Sequence, residues 1–276
     1  MLRLIPLLTD PASHGGSPRD AFDVVVPSLP GFAFSDRHMQ PGMSNFRIAD
    51  LWASLMDGLA TLGMAPREAT GVSSVSTLLG LAYPANVIGI HLNFIPGSYM
   101  PYLGTSARGL SDAERSFLKD VDEWAATEGG YWHIQRTRPQ TLAYGLNDAP
   151  AGLAAWIIEK FRAWSDCAGD IERRFTKDEL LTNVSIYWFT QTIHSSCRLY
   201  FETRQRPLSF KEDERVTVPC GVAHFPLEVP FPPRERVERG YAVTHWSEMA
   251  RGGHFAAMEE PELLAADIRT FFRTLR

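Results

Sequence analysis

Apolar residues change their spacing twice along this chain, and the changes divide it into three stretches. Residues 1–9 look like an apolar helical end, followed by a polar, glycine-bearing loop over 10–20. Asp23-Val24-Val25-Val26-Pro27 is then a short β-branched run, the pattern of a strand buried on both faces of a parallel sheet. It empties into the turn-rich Ser28-Leu29-Pro30-Gly31-Phe32-Ala33-Phe34-Ser35-Asp36. Ile48, Leu51, Trp52, Leu55, Met56 and Leu59 recur every three or four positions, predicting a helix that Ser44 or Asn45 can cap and that ends by Gly63. Residues 64–74 should hold the next strand, although Pro66, Arg67 and Glu68 suit one poorly. A short helix over 75–83, stopped by Pro84, and a buried strand over 87–94 follow.

Beyond Pro96 the strands cease. Helical spacing and capping residues mark 111–129, 150–164 and 176–201. Strand patterns return at 216–223 and 241–246, and a last helix opens at Glu259-Glu260-Pro261-Glu262, with proline in its first turn and acidic residues at its amino end. The alternation of strand and helix on either side of the helical stretch predicts an α/β protein with a mostly parallel sheet. The expected organisation is 1–97 as the first part of the core, 98–212 as an inserted helical cap, and 213–276 as the last part of the core.

Composition narrows the function. With 276 residues, 45% of them hydrophobic and 11% aromatic, there is ample material for a core. A net charge of −5 without any Lys/Arg run argues against a nucleic-acid partner. The longest apolar runs reach strand length only, so no membrane span is expected. Pro6 breaks the apolar amino end, which lacks a small-residue cleavage site and reads as helix, not signal. Cys167, Cys197 and Cys220 are scattered and odd in number, which suits reduced thiols and a cytoplasmic location. No metal or organic cofactor is expected, because no ligand cluster and no glycine-rich phosphate loop is present.

The chemistry centres on Arg251-Gly252-Gly253-His254-Phe255, where two glycines after a strand-like run present one imidazole. Glu228 follows the preceding strand. Acid after one strand and histidine after the next is the late half of an α/β-hydrolase, whose chain order is nucleophile, acid, histidine. A histidine that takes a proton near neutral pH gains from a carboxylate that fixes its tautomer and stabilises its cation.

Several longer motifs add a family resemblance. Phe225-Pro226-Leu227-Glu228, Arg251-Gly252-Gly253-His254-Phe255, Gly130-Tyr131-Trp132-His133-Ile134-Gln135, Arg136-Thr137-Arg138-Pro139-Gln140-Thr141 and Ser195-Ser196-Cys197-Arg198-Leu199-Tyr200 together resemble the microsomal-type epoxide hydrolases. Pro27-Ser28-Leu29-Pro30-Gly31-Phe32 and Ile90-His91-Leu92-Asn93 fit as well. The resemblance implies a hydrophobic epoxide as substrate and a vicinal diol as product, formed when an aspartate attacks an epoxide carbon and histidine-activated water hydrolyses the ester. It assigns His254 as the water-activating base, Glu228 as its orienting acid, and Tyr131 and Tyr200 as donors to the epoxide oxygen.

Two features of the family pattern are missing. The nucleophile of the family sits in a Gly-Gly-Asp-Trp-Gly turn, whereas counting back from Val75-Ser76-Thr77 places Thr70 at the aspartate, between Ala69 and Gly71. The family also carries earlier strands and a His-Gly-Trp-Pro loop before the equivalent of Met1, so the resemblance implies early strands missing from the sheet, with an edge that an oligomer or partner would cover. Three readings follow: an epoxide hydrolase without the usual nucleophile, a catalytically silent homologue that binds a hydrophobic ligand or a protein, and a serine hydrolase using Ser73 of Gly71-Val72-Ser73-Ser74-Val75.

Overall fold

The computed structural model describes residues 2–38, 40–59, 63–68, 73–96, 99–103 and 109–276. Its elements run α1 (Leu4–Thr9), α2 (Asn45–Gly58), β1 (Arg67–Glu68), α3 (Ser73–Ala82), β2 (Ile90–Leu92), α4 (Asp112–Thr127), α5 (Gly130–Thr137), α6 (Pro139–Asp148), α7 (Pro150–Ala163), α8 (Lys177–Thr190), α9 (Ile193–Gln205), β3 (Val216–His224), α10 (Arg234–Glu238), β4 (Tyr241–Glu248), α11 (Ala256–Glu259) and α12 (Pro261–Arg273). The four strands form one wholly parallel sheet in the order β1-β2-β3-β4. Among the described residues, helices α4 to α9 come between β2 and β3.

Side chains alternate across the sheet and set up two different faces. Ile90 and Leu92 of β2 stand beside Cys220 and Val222 of β3, and all four join a cluster with α2, α3 and Tyr241. On the opposite face, His91 pairs with Gly221, and α12 packs so closely that a Cβ on Gly221 would lie 2.8 Å from the Phe271 ring. There α1 and α12 bury Leu4, Leu7, Leu8, Leu264, Ile268, Phe271 and Phe272. Pro219 sits within β3, where the register against β4 shifts, as expected of a residue with no N–H to give the ladder.

Three sequence expectations need correction. Residues 23–27 form no ladder with any described strand; Phe22 donates its N–H to Leu8, Val24 packs on the α12 side, and Val25 and Val26 are 42% and 45% exposed. A β-branched run becomes a strand only where another backbone accepts and donates beside it. The helix expected over 176–201 is two, α8 and α9, parted at Gln191 with φ of 54°. Apolar spacing continues through the break because Val184, Ile193 and Cys197 all enter one cluster. The strand expected over 87–94 narrows to Ile90–Leu92.

A polar network ties α12 to the sheet. Asp267 accepts from His91 Nε2 at 2.7 Å, from His245 Nε2 at 2.8 Å and from Ser247 Oγ at 2.6 Å. Burial alone would raise the Asp267 carboxyl, but His91, through its hydrogen bond and charge, and then Ser247 and His245 overcome it and hold it at about 2. Because the folded value lies below the ordinary 3.8, the stabilisation is complete above pH 3.8 and is lost as pH falls through about 2. Asp267→Asn should therefore cost about 2 kcal/mol at neutral pH. Urea unfolding followed by tryptophan fluorescence should show the gap to wild type closing between pH 3.8 and about 2.

Candidate active site

β3 and β4 are adjacent and parallel, so the loops that leave their carboxyl ends meet. Leu227 and Gly253 form a bridge, with the Leu227 N–H donating to the Gly252 carbonyl at 3.1 Å. One residue further along each loop, Glu228 and His254 face each other: His254 Nδ1 lies 2.5 Å from Glu228 Oε1, with both side chains buried. An ionised carboxylate can only accept, so Nδ1 carries the proton and Nε2 is left as the lone-pair nitrogen. Val229 N–H donates to the same oxygen at 2.9 Å, whereas Glu228 Oε2 is buried without a hydrogen-bond partner among the described residues. The acid is thus held by one backbone amide and one imidazole.

The glycines before the histidine are needed for space. Gly252 has φ of 103°, in the left-handed region, and a Cβ on Gly253 would lie 2.7 Å from the Trp164 carbonyl and 2.9 Å from that of Leu227. The loop consequently lies flat against residue 164, whose carbonyl accepts the His254 N–H at 2.9 Å.

Aromatic rings enclose the imidazole. Phe94 and Trp164 meet it edge-on, with centroids 5.0 and 5.3 Å away. Trp164 in turn contacts Tyr131 at 5.2 Å, and Tyr131 contacts Tyr200 at 6.1 Å. All four predicted site residues, His254, Glu228, Tyr131 and Tyr200, therefore join one continuous side-chain assembly. Tyr131 comes from α5 and Tyr200 from α9. Burial, with the Glu128 carboxylate adding to it, pushes the Tyr131 phenol up; burial, then Tyr131 and Tyr187, pushes Tyr200 up well above the ordinary value. Both phenols stay protonated and available as donors well above neutral pH.

Thr70 lies outside the described residues, and so does the side chain of Ser73, which begins α3. Among the described residues no group of three His, Cys, Asp or Glu side chains is placed to hold a metal ion, and no helix is long and apolar enough to cross a membrane. Sequence reading missed Trp164 and Phe94. Both read as ordinary apolar residues in their own elements, and only the tertiary fold puts them against the imidazole.

No protein-family model matches the chain. A protein of Stigmatella aurantiaca (strain DW4/3-1) is 44% identical over 276 residues, which are 100% of this chain and 61% of the relative. Epoxide hydrolase 1 of Sus scrofa is 38% identical over 293 residues, covering 99% of this chain and 64% of its own. The chain thus spans less than two thirds of the length of these relatives. The crystal structure of juvenile hormone epoxide hydrolase from the silkworm Bombyx mori superposes with a TM-score of 0.84 at 30% identity, over 100% of this chain and 69% of that one.

Close packing at residue 253 makes a direct test of this geometry. Gly253→Ala should lose about 1–3 kcal/mol of stability through overpacking. Gly145→Ala, on the exposed side of α6 with nothing within 4 Å of the added carbon, should gain about 0.5–1 kcal/mol, as removing a helical glycine does. Urea denaturation of the two variants beside wild type reads both signs.

Proposed function

The chain belongs to the microsomal-type epoxide hydrolase family of the α/β-hydrolase fold, and on that premise we propose that it hydrolyses a hydrophobic epoxide to a vicinal diol. The observation that carries the reading is the buried His254–Glu228 pair, joined through Trp164 to two protonated phenols. Residues 64–74 contain no aspartate, so the reaction is written without a covalent ester. His254 Nε2 takes a proton from water as the water oxygen bonds to an epoxide carbon, and the electrons of the breaking C–O bond go to the epoxide oxygen. Tyr131 or Tyr200 gives that oxygen a proton, and the phenol is restored by the proton held on His254, passed through solvent. Glu228 stabilises the imidazolium throughout.

A donor aimed at developing alkoxide charge in an apolar site contributes more than one in water, and the surrounding rings of Phe94, Trp124 and Trp164 provide such a site. The same rings favour an apolar substrate.

The absence of aspartate over 64–74 also supports a second reading, a silent homologue that binds a hydrophobic ligand without turnover. Diol formation from an aromatic epoxide separates the two. His254→Ala should abolish it, and Tyr131→Phe or Tyr200→Phe should lower kcat by about 10²-fold or more, the usual loss for removing one such donor. If His254→Ala turns over as fast as wild type, or wild type binds the epoxide with no diol above the uncatalysed rate, the hydrolase reading is wrong.

A further inference from the structure

We propose that the turn after α7, Trp164-Ser165-Asp166, is a second positioning device for His254, with Asp166 and Glu259 as positioning residues that fix the backbone of the histidine loop while Glu228 fixes its ring. The proposal deepens the reading above, since it concerns the same imidazole. Glu228 touches His254 only through Nδ1, and a ring on a double-glycine loop needs its main chain held as well.

That main chain is held largely from outside its own element. Gly252 N–H donates to Asp166 Oδ2 at 3.0 Å, His254 N–H to the Trp164 carbonyl at 2.9 Å, and Phe255 N–H to Glu259 Oε1 at 2.9 Å. Glu259 then uses its other oxygen, Oε2, to accept the Asp166 N–H at 2.7 Å. One buried carboxylate thereby fastens the histidine loop and the 164–166 turn to each other. Two acceptor oxygens are required, and only the ionised form offers both in full. Burial pushes the Glu259 carboxyl up, against the two backbone donors that lower it.

The clamp has its own support. Arg174 donates from Nη2 to Asp166 Oδ2 at 2.7 Å, from Nε to the Asp166 carbonyl at 2.5 Å, and from Nη1 to Glu260 Oε1 at 2.8 Å. Arg251 reaches the same Glu260 oxygen at 2.8 Å. Phe255, next to the histidine, stacks on Phe161 at 4.2 Å with the rings 10° from parallel. Arg174–Glu260 and Phe255–Phe161 join the histidine loop's side to the helical segment, and none of these contacts involves the sheet.

The ¹⁵N shifts of the His254 ring in the full chain, labelled at histidine, test this without any need for turnover. They report how fully the proton resides on Nδ1. Glu228→Gln, the reference, should shift them toward a mixture of tautomers. Asp166→Ala and Glu259→Gln should do the same and should speed amide hydrogen exchange at Gly252 and Phe255, with near-UV circular dichroism retained. Asp166→Asn, whose amide oxygen still accepts from Gly252 without the negative charge, should stay close to wild type in the ring shifts. Ring shifts that respond to Glu228→Gln but not to Asp166→Ala would overturn the clamp and leave the catalytic pair standing. If Asp166→Ala does not fold, the isosteric Glu259→Gln decides alone in the same way. Shifts that ignore Glu228→Gln would instead remove the pair on which the proposed function rests, and accelerated exchange with unchanged ring shifts would reduce residues 164–166 to scaffolding.

Discussion

A carboxylate buried from water must find hydrogen bonds and a partner for its charge, and Glu228 finds them in one backbone N–H and one imidazole. The surrounding structure follows from meeting that requirement. β3 and β4 have to be neighbours and parallel so that their carboxyl ends open side by side, and the Leu227–Gly253 bridge extends the ladder past both strands to the point where Glu228 and His254 face each other. Gly252 and Gly253 have to be glycines, because one lies at positive φ and the other against two carbonyls. The imidazole is then flanked by Phe94 and Trp164, which meet it edge-on.

The two faces of the sheet divide the work. The face toward α2 and α3 is packed with aliphatic side chains and Tyr241. The α12 face carries an ionic centre, Asp267 between His91, His245 and Ser247, which locks the last helix onto β2 and β4. The helix that follows the histidine loop is therefore anchored twice, by Asp267 in its middle and by Glu259 and Glu260 just before it.

The pairing of Glu228 with His254 could be read from the sequence because each residue follows a strand whose apolar spacing is plain. Tyr131 and Tyr200 could not be read that way; only the motifs around them singled them out. The clamp formed by Asp166 and Glu259 left no sequence signal, since the bonds that tie Asp166 to Gly252 and to Glu259 span 86 and 93 residues. Residues 23–27 misled for the opposite reason. Their composition has the strand preference, yet no described strand lies beside them to pair, and Val25 and Val26 remain exposed. α5 and α6 escaped the periodicity because Arg138 interrupts them after 8 residues.

The most direct test of the central claim, that His254 activates water for attack on the epoxide itself, is a single-turnover reaction in ¹⁸O-labelled water with the chain in excess over an aromatic epoxide. Attack by histidine-activated water places the label in the diol formed in the first cycle. An unlabelled first-cycle diol would mean that an oxygen of the protein attacks first, and would contradict the account.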